Sequence, residues 1–92
     1  MITTISRTRQ FKRDSKRAVK TFGLQNVEAL LADFLAPVVK GDEPHPKYKD
    51  HALTGKWAGC RECHLKPDLI MIYEKICNIL TLHRLGSHSE LF

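Results

Sequence analysis

Three cysteines in 92 residues cannot all pair within one chain, so disulfides are not expected to hold this protein together, and a reducing compartment is expected. No run of apolar residues is long enough to cross a membrane. Residues 1–7 lack the apolar core of a secretory signal. A cytoplasmic location with no membrane partner is the expectation. There is no internal repeat, no low-complexity segment and no second C-x-x-C to complete a zinc-finger pattern. Apolar residues make up 42% of the chain, an ordinary globular share that argues against disorder.

What is present is one small domain, residues 1–92, with a basic surplus. A chain this short buries only ~60–65% of its unfolded surface, so its core is modest. Fifteen Lys and Arg against ten Asp and Glu leave +5, with five histidines that add to it in mild acid. Such a balance points to a polyanion or an acidic protein as partner.

The pattern along the chain predicts β-α-α-β-β-β. Ile2–Ile5 is short and β-branched, which suits a strand. Residues 7–22 read as a helix, with Phe11, Ser15, Ala18 and Phe22 on one face and Arg9, Lys12, Arg13, Lys16, Arg17 and Lys20 over the rest. Gly23 is placed to cap it. Val27, Leu30, Leu31, Phe34, Leu35 and Val38 predict a second helix, capped by Asn26, with Glu28 in its first turn and Pro37 ending or kinking it. Residues 40–56 hold Gly41, Pro44, Pro46 and Gly55 and read as a loop carrying His51. Strands follow at about 57–65, 69–75 and 79–85, joined by short turns into an antiparallel meander. Gly86–Phe92 reads as a tail. The expected fold is α+β, two helices packed on one face of an antiparallel sheet, leaving the other face for chemistry.

Cys60-Arg61-Glu62-Cys63-His64 has the C-x-x-C-H form of a haem attachment site. On a strand, without an export signal, it does not fit that chemistry. A zinc site built from Cys60, Cys63, Cys77 and a histidine needs both C-x-x-C sulfurs on one side, whereas strand positions 60 and 63 face opposite ways. Cysteines buried as small hydrophobes are the simpler reading. The same alternation projects Glu62 and His64 together, with Asp68 just past a Pro67 turn and with His51 and His88 before and after. His45 reads as a loop residue and His83 as a strand position without a special task. Trp57 and Tyr73 read as core. Residues 7–22 hold seven basic side chains, Arg7 to Lys20, against Asp14 alone. This is either a solvated face or a phosphate-contacting surface, through Arg13, Lys16, Arg17 and Lys20. Phe92 is either a loose end or a docked aromatic.

Tyr48-Lys49-Asp50-His51, Gly55-x-Trp57-x-Gly59, Arg61-Glu62-x-His64-x-x-Pro67-Asp68 and Leu85-Gly86-Ser87-His88-Ser89-Glu90-Leu91-Phe92 together resemble the YafQ-like toxins of the RelE/ParE superfamily, bacterial toxin–antitoxin proteins. The motifs span residues 48–92, while residues 1–47 agree in charge and element order. The resemblance implies a microbial-ribonuclease fold and ribosome-dependent endonucleolytic cleavage of messenger RNA, with no metal and no cofactor. It also implies neutralisation by a cognate antitoxin, with operator DNA reached only through the antitoxin complex. By motif, the functional positions are His51, Glu62, His64, Asp68, Arg84, His88 and Phe92, with Arg61 beside them as an RNA contact. Two positions depart from the pattern: Glu62 stands where close relatives often carry aspartate, and Cys60 where some carry an aromatic.

In that chemistry the substrate 2′-hydroxyl is the nucleophile. A histidine, with an unperturbed pKa of ~6.5, suits either proton transfer. His88 is expected to act as acid and His64 or His51, oriented by Asp68 or Glu62, as base, with Arg84 stabilising the phosphorane. The rivals are a gyrase-inhibiting toxin of the same fold and a non-catalytic nucleic-acid-binding module.

Overall fold

The computed structural model describes residues 1–92. Thr4–Arg7 forms β1, Arg9–Phe22 forms α1 and Leu24–Val39 forms α2. Thr8 caps α1, its hydroxyl oxygen accepting the Phe11 N–H at 3.0 Å. Gly23, at φ +86°, ends α1 by donating its N–H to the Val19 carbonyl and opens α2 in the same step. The chain turns by 120° between the two helices. The expectation that Asn26 caps α2 is corrected. The helix begins at Leu24, so Asn26 lies inside the first turn and its Nδ2 donates back to the Phe22 carbonyl at 2.8 Å. Pro37 sits in the last turn without ending the helix, which runs on to Val39.

After a 3-10 turn at Pro46–Tyr48 come β2 (His51–Ala52), a second 3-10 turn at Gly55–Trp57, β3 (Arg61–Lys66), β4 (Leu69–Ile76), β5 (Ile79–Gly86) and a last helix, α3 (His88–Leu91). The strands order as β1-β5-β4-β3-β2. β2 to β5 are antiparallel, as expected of a meander, but β1 pairs parallel with β5, Thr4 opposite Ile79. The all-antiparallel sheet is corrected in this one pair. The two helices carry the chain across the sheet, and β1 then lies beside the last strand, running the same way. Three further expectations change. The strand expected at 57–65 starts only at Arg61. The 40–56 loop contains a two-residue edge strand. The tail is largely helix.

Side-chain alternation divides the sheet. Cys63, Leu65, Met71, Tyr73, Leu80, Leu82 and Leu85 turn toward the helices and join Phe11, Ala18, Val27, Phe34 and Val38 in the main core. Phe34 sits at its centre, with its ring 5.1 Å from Tyr48 and 5.4 Å from Tyr73. The opposite face is covered only in part. Cys60, Ile70, Ile72 and Leu91 make a smaller cluster there, with Leu53 and Trp57 against it. Leu91 therefore seats α3 on the helix-free face. A bulge in β5 sets Ile72 opposite Arg84 and Tyr73 opposite Leu82, so His83 is the extra residue. No single helix is long and apolar enough to cross a membrane.

Candidate active site

Glu62 is the centre of the site. It lies on β3, pairs in register with His51 on β2, and shares its face with His64. Its Oε1 is 3.1 Å from His64 Nε2 and 3.5 Å from His51 Nε2. The Glu62 side chain is 9% exposed, so its charge is largely sheltered from water and meets two imidazoles instead. The ring orientations follow from hydrogen bonding. His51 Nδ1 lies 2.8 Å from the Lys49 carbonyl oxygen, which only a protonated Nδ1 can satisfy. Neutral His51 therefore keeps a lone pair on Nε2, and a proton taken up there meets Glu62. His64 donates from Nε2 to Glu62, which leaves its Nδ1 as the acceptor. The turn that presents His51 includes Lys49 in the left-handed region at φ 51°.

His88 and Phe92 come from α3. Ser87 caps this helix: its hydroxyl accepts the Glu90 N–H, and Glu90 Oε1 accepts the Ser87 N–H at 2.8 Å. That Ser87 N–H holds the Glu90 carboxyl below its usual range. The His88 and Phe92 rings, one turn apart, lie 5.0 Å from each other and are both exposed. Leu91, not Phe92, is the docked residue of the tail.

Four expected positions have surroundings of their own, apart from the Glu62 group. Asp68 lies exposed in the turn between β3 and β4 and makes no hydrogen bond to a histidine. It lines a cleft with Arg17, Ser87, Ser89 and Glu90, so Glu62 alone orients the β2–β3 histidines. Arg84 is held in place: its Nε and Nη2 donate to Asp14 at 2.7 and 3.3 Å, and only Nη1 stays uncommitted. Arg61 alternates to the side opposite Glu62, where its Nε donates to Asp50 at 2.6 Å and the bond raises the guanidinium pKa further. Arg17 bridges Asp14 and Glu90, both at 2.9 Å. Of the basic helix, Arg13, Lys16 and Lys20 are exposed and make no ion pair.

Sequence reasoning missed two carboxylates. Asp14, 1% exposed, accepts from Arg17, Arg84 and the Leu85 N–H at 3.0 Å. Its signal was there: position 14 falls on the Phe11–Ala18 face, the only acid in a basic run. Asp50 accepts from both Arg61 and the Tyr73 hydroxyl; burial and this bond push the Tyr73 phenol well up. Cys60 and Cys63 lie in the clusters on opposite faces, as alternation required, and so cannot share a metal. Burial pushes the Cys63 thiol well up, so it is an inert core residue.

The family model for "Bacterial toxin of type II toxin-antitoxin system, YafQ" matches residues 3–92. The chain is similar to the mRNA interferase toxin YafQ of Escherichia coli K12, at 37% identity over 84 residues, 90% of this chain and 88% of that one. It is also similar to a metal-bound toxin from Helicobacter pylori, with TM-score 0.85 and 42% identity over the whole of both chains. In the E. coli DinJ-YafQ toxin-antitoxin complex the similarity has TM-score 0.80 and 35% identity, covering 96% of this chain and 94% of that one.

Proposed function

The chain belongs to the YafQ family of bacterial toxins of type II toxin–antitoxin systems, and we propose that it is an mRNA interferase that cuts message on the ribosome, in the cytoplasm, and is neutralised by a cognate antitoxin protein. The observation that carries this reading is the Glu62 carboxylate held between His51 and His64 on the helix-free face. It gives the site a proton acceptor whose protonated form is already paired.

The cleavage balances without an outside reagent. A base removes the proton of the 2′-hydroxyl, and the oxygen attacks the neighbouring phosphorus in line. The bond from phosphorus to the 5′-oxygen breaks, and an acid protonates that oxygen. The products are a 2′,3′-cyclic phosphate and a 5′-hydroxyl. His51 through Nε2, or His64 through Nδ1, serves as base, with Glu62 stabilising the imidazolium that forms. His88 on α3 serves as acid. Arg84, fixed by Asp14, offers Nη1 to the charge that develops on the phosphorane. Phe92 offers a ring for base stacking, worth ~1–3 kcal/mol per base where it occurs. Arg13, Lys16 and Lys20 form the phosphate-contacting surface on the helical layer.

The experiment adds purified protein to a translating extract and maps messenger-RNA ends, with Glu62→Gln beside the wild type. New 5′-hydroxyl ends that need ribosomes, and that fall sharply in the variant, are the expected result. Intact message with inhibited DNA supercoiling would instead align the chain with the gyrase-inhibiting toxins of this fold.

A further inference from the structure

We propose that Cys60, Glu74 and His83 form a zinc-binding site on the helix-free face, separate from the His51–Glu62–His64 group. The Cys60 sulfur, a Glu74 carboxylate oxygen and a His83 ring nitrogen all lie within 4.8 Å of one another. Tetrahedral zinc, at ~2.0–2.3 Å from its ligands, needs donor atoms about 3.5 Å apart. Small rotamer changes close that gap. His83 Nε2 and Glu74 Oε1 are already 3.1 Å apart.

Three separate features of the chain build the site. The bulge in β5 supplies His83 as an extra residue beside Glu74 on β4. Gly59, at φ +93°, turns the chain into Cys60 in a conformation that a side chain would strain. Trp57 stands over His83, with ring centroids 6.0 Å apart, and walls the site from one side. Cys60 is 7% exposed, while Glu74 and His83 are about one quarter exposed, so an ion has an entry path.

The donor set selects the metal. A thiolate excludes magnesium and calcium, which take oxygen ligands, whereas sulfur, imidazole and carboxylate together suit zinc. Thiolate and carboxylate also neutralise a divalent ion. Without it the pair is unfavourable: burial first, and then the Glu74 charge, raise the Cys60 thiol pKa and keep it protonated. Zinc would displace that proton and the Glu74–His83 hydrogen bond. Three protein ligands leave a fourth position open on the face that carries the acid–base group. The ion would pin the Gly55–Trp57 turn to β4 and β5, and would raise the unfolding temperature by binding the folded state alone.

Cobalt(II) titration of the full chain under a phosphine reductant tests this, because only thiolate ligation gives a strong sulfur-to-cobalt charge-transfer band. The expected result is one equivalent of cobalt with that band, displaced by zinc. Cys77→Ser and His64→Gln keep it, Cys60→Ser loses it, and His83→Gln weakens affinity more than about 100-fold, since losing even an outer-shell partner costs 10–100-fold. No thiolate band in the wild type overturns the proposal. So does a band that survives Cys60→Ser but not Cys77→Ser, or binding that depends on His64 and not on His83. Should Cys60→Ser fail to fold by circular dichroism, Glu74→Gln and His83→Gln decide the question by the same titration.

Discussion

Asp14→Ala should be among the most damaging single changes in this protein, although no sequence motif includes the residue. Asp14 is 1% exposed and accepts three kinds of donor: Arg17 Nη2 at 2.9 Å, Arg84 Nε at 2.7 Å and the Leu85 N–H at 3.0 Å. Truncation leaves the Leu85 N–H without an acceptor inside the core, which costs about 1–3 kcal/mol. It also strands Arg84, whose side chain is 19% exposed. Breaking a buried pair typically costs ~3–5 kcal/mol, less here because the guanidinium has some access to water. Arg17 adds little, being half exposed and still paired with Glu90. A net loss of about 3–4 kcal/mol follows, against ~5–14 kcal/mol for a domain of this size. At ~4–8 °C per kcal/mol, Tm should fall by roughly 12–32 °C.

Urea unfolding with linear extrapolation measures the loss, and an unchanged m value shows that the unfolded state is not its source. Two controls sharpen the test. Arg17→Ala should cost no more than ~1 kcal/mol, as exposed pairs do. Asp14→Leu combined with Arg84→Met should recover part of the loss, because the stranded charge goes with its partner. A loss under ~1 kcal/mol in Asp14→Ala would refute the reasoning. So would a double variant no better than Asp14→Ala.

His64→Gln and His88→Gln should each lower the cleavage rate by roughly 10²–10⁴-fold with little change in Tm, read by single-turnover kinetics on programmed ribosomes. Neutralising Arg13, Lys16 and Lys20 to Gln should reduce the salt slope of ribosome association by up to about three units, measured by sedimentation across salt concentrations. Because the folded Glu90 pKa is depressed, its contribution to α3 is full at neutral pH and lost as pH falls through that lowered range; His88 and Phe92 resonances should show the helix loosening only there. Gly86→Ala should push the Glu90 carboxylate aside, loosen the α3 cap and lower cleavage modestly without unfolding the sheet, since an added Cβ would stand 2.9 Å from Glu90 Oε1.

The parts of the site legible in the sequence were those that depend on neighbours along one strand. Alternation alone placed Glu62 with His64 and separated Cys60 from Cys63. Applied one residue further, it would also have placed Arg61 away from Glu62, because position 61 shares a side with 63. The Ser87-x-x-Glu90 capping box was readable as a helix start, yet a helix of four residues falls below any hydrophobic period. The parallel pairing of β1 with β5 joins residues about 75 positions apart, for which no local turn chemistry exists. What holds Arg84 stayed hidden for the same reason: its partner Asp14 is 70 residues away.

Those long-range contacts change how the candidate catalytic face is held. His88 stands on a helix too short to persist alone, and only Leu91 of that helix is buried. What fixes α3 is a chain of charges running around the sheet from the helical layer. Asp14, on the buried side of α1, holds Arg84 and Arg17; Arg17 holds Glu90; Glu90 accepts the Ser87 N–H and completes the cap. Gly86 leaves room for that carboxylate to pass. The basic helix thus has a part beyond the proposed contact of Arg13, Lys16 and Lys20 with a polyanion. Through Asp14 and Arg17 it also sets where the proposed acid, His88, stands relative to the sheet that carries the proposed base.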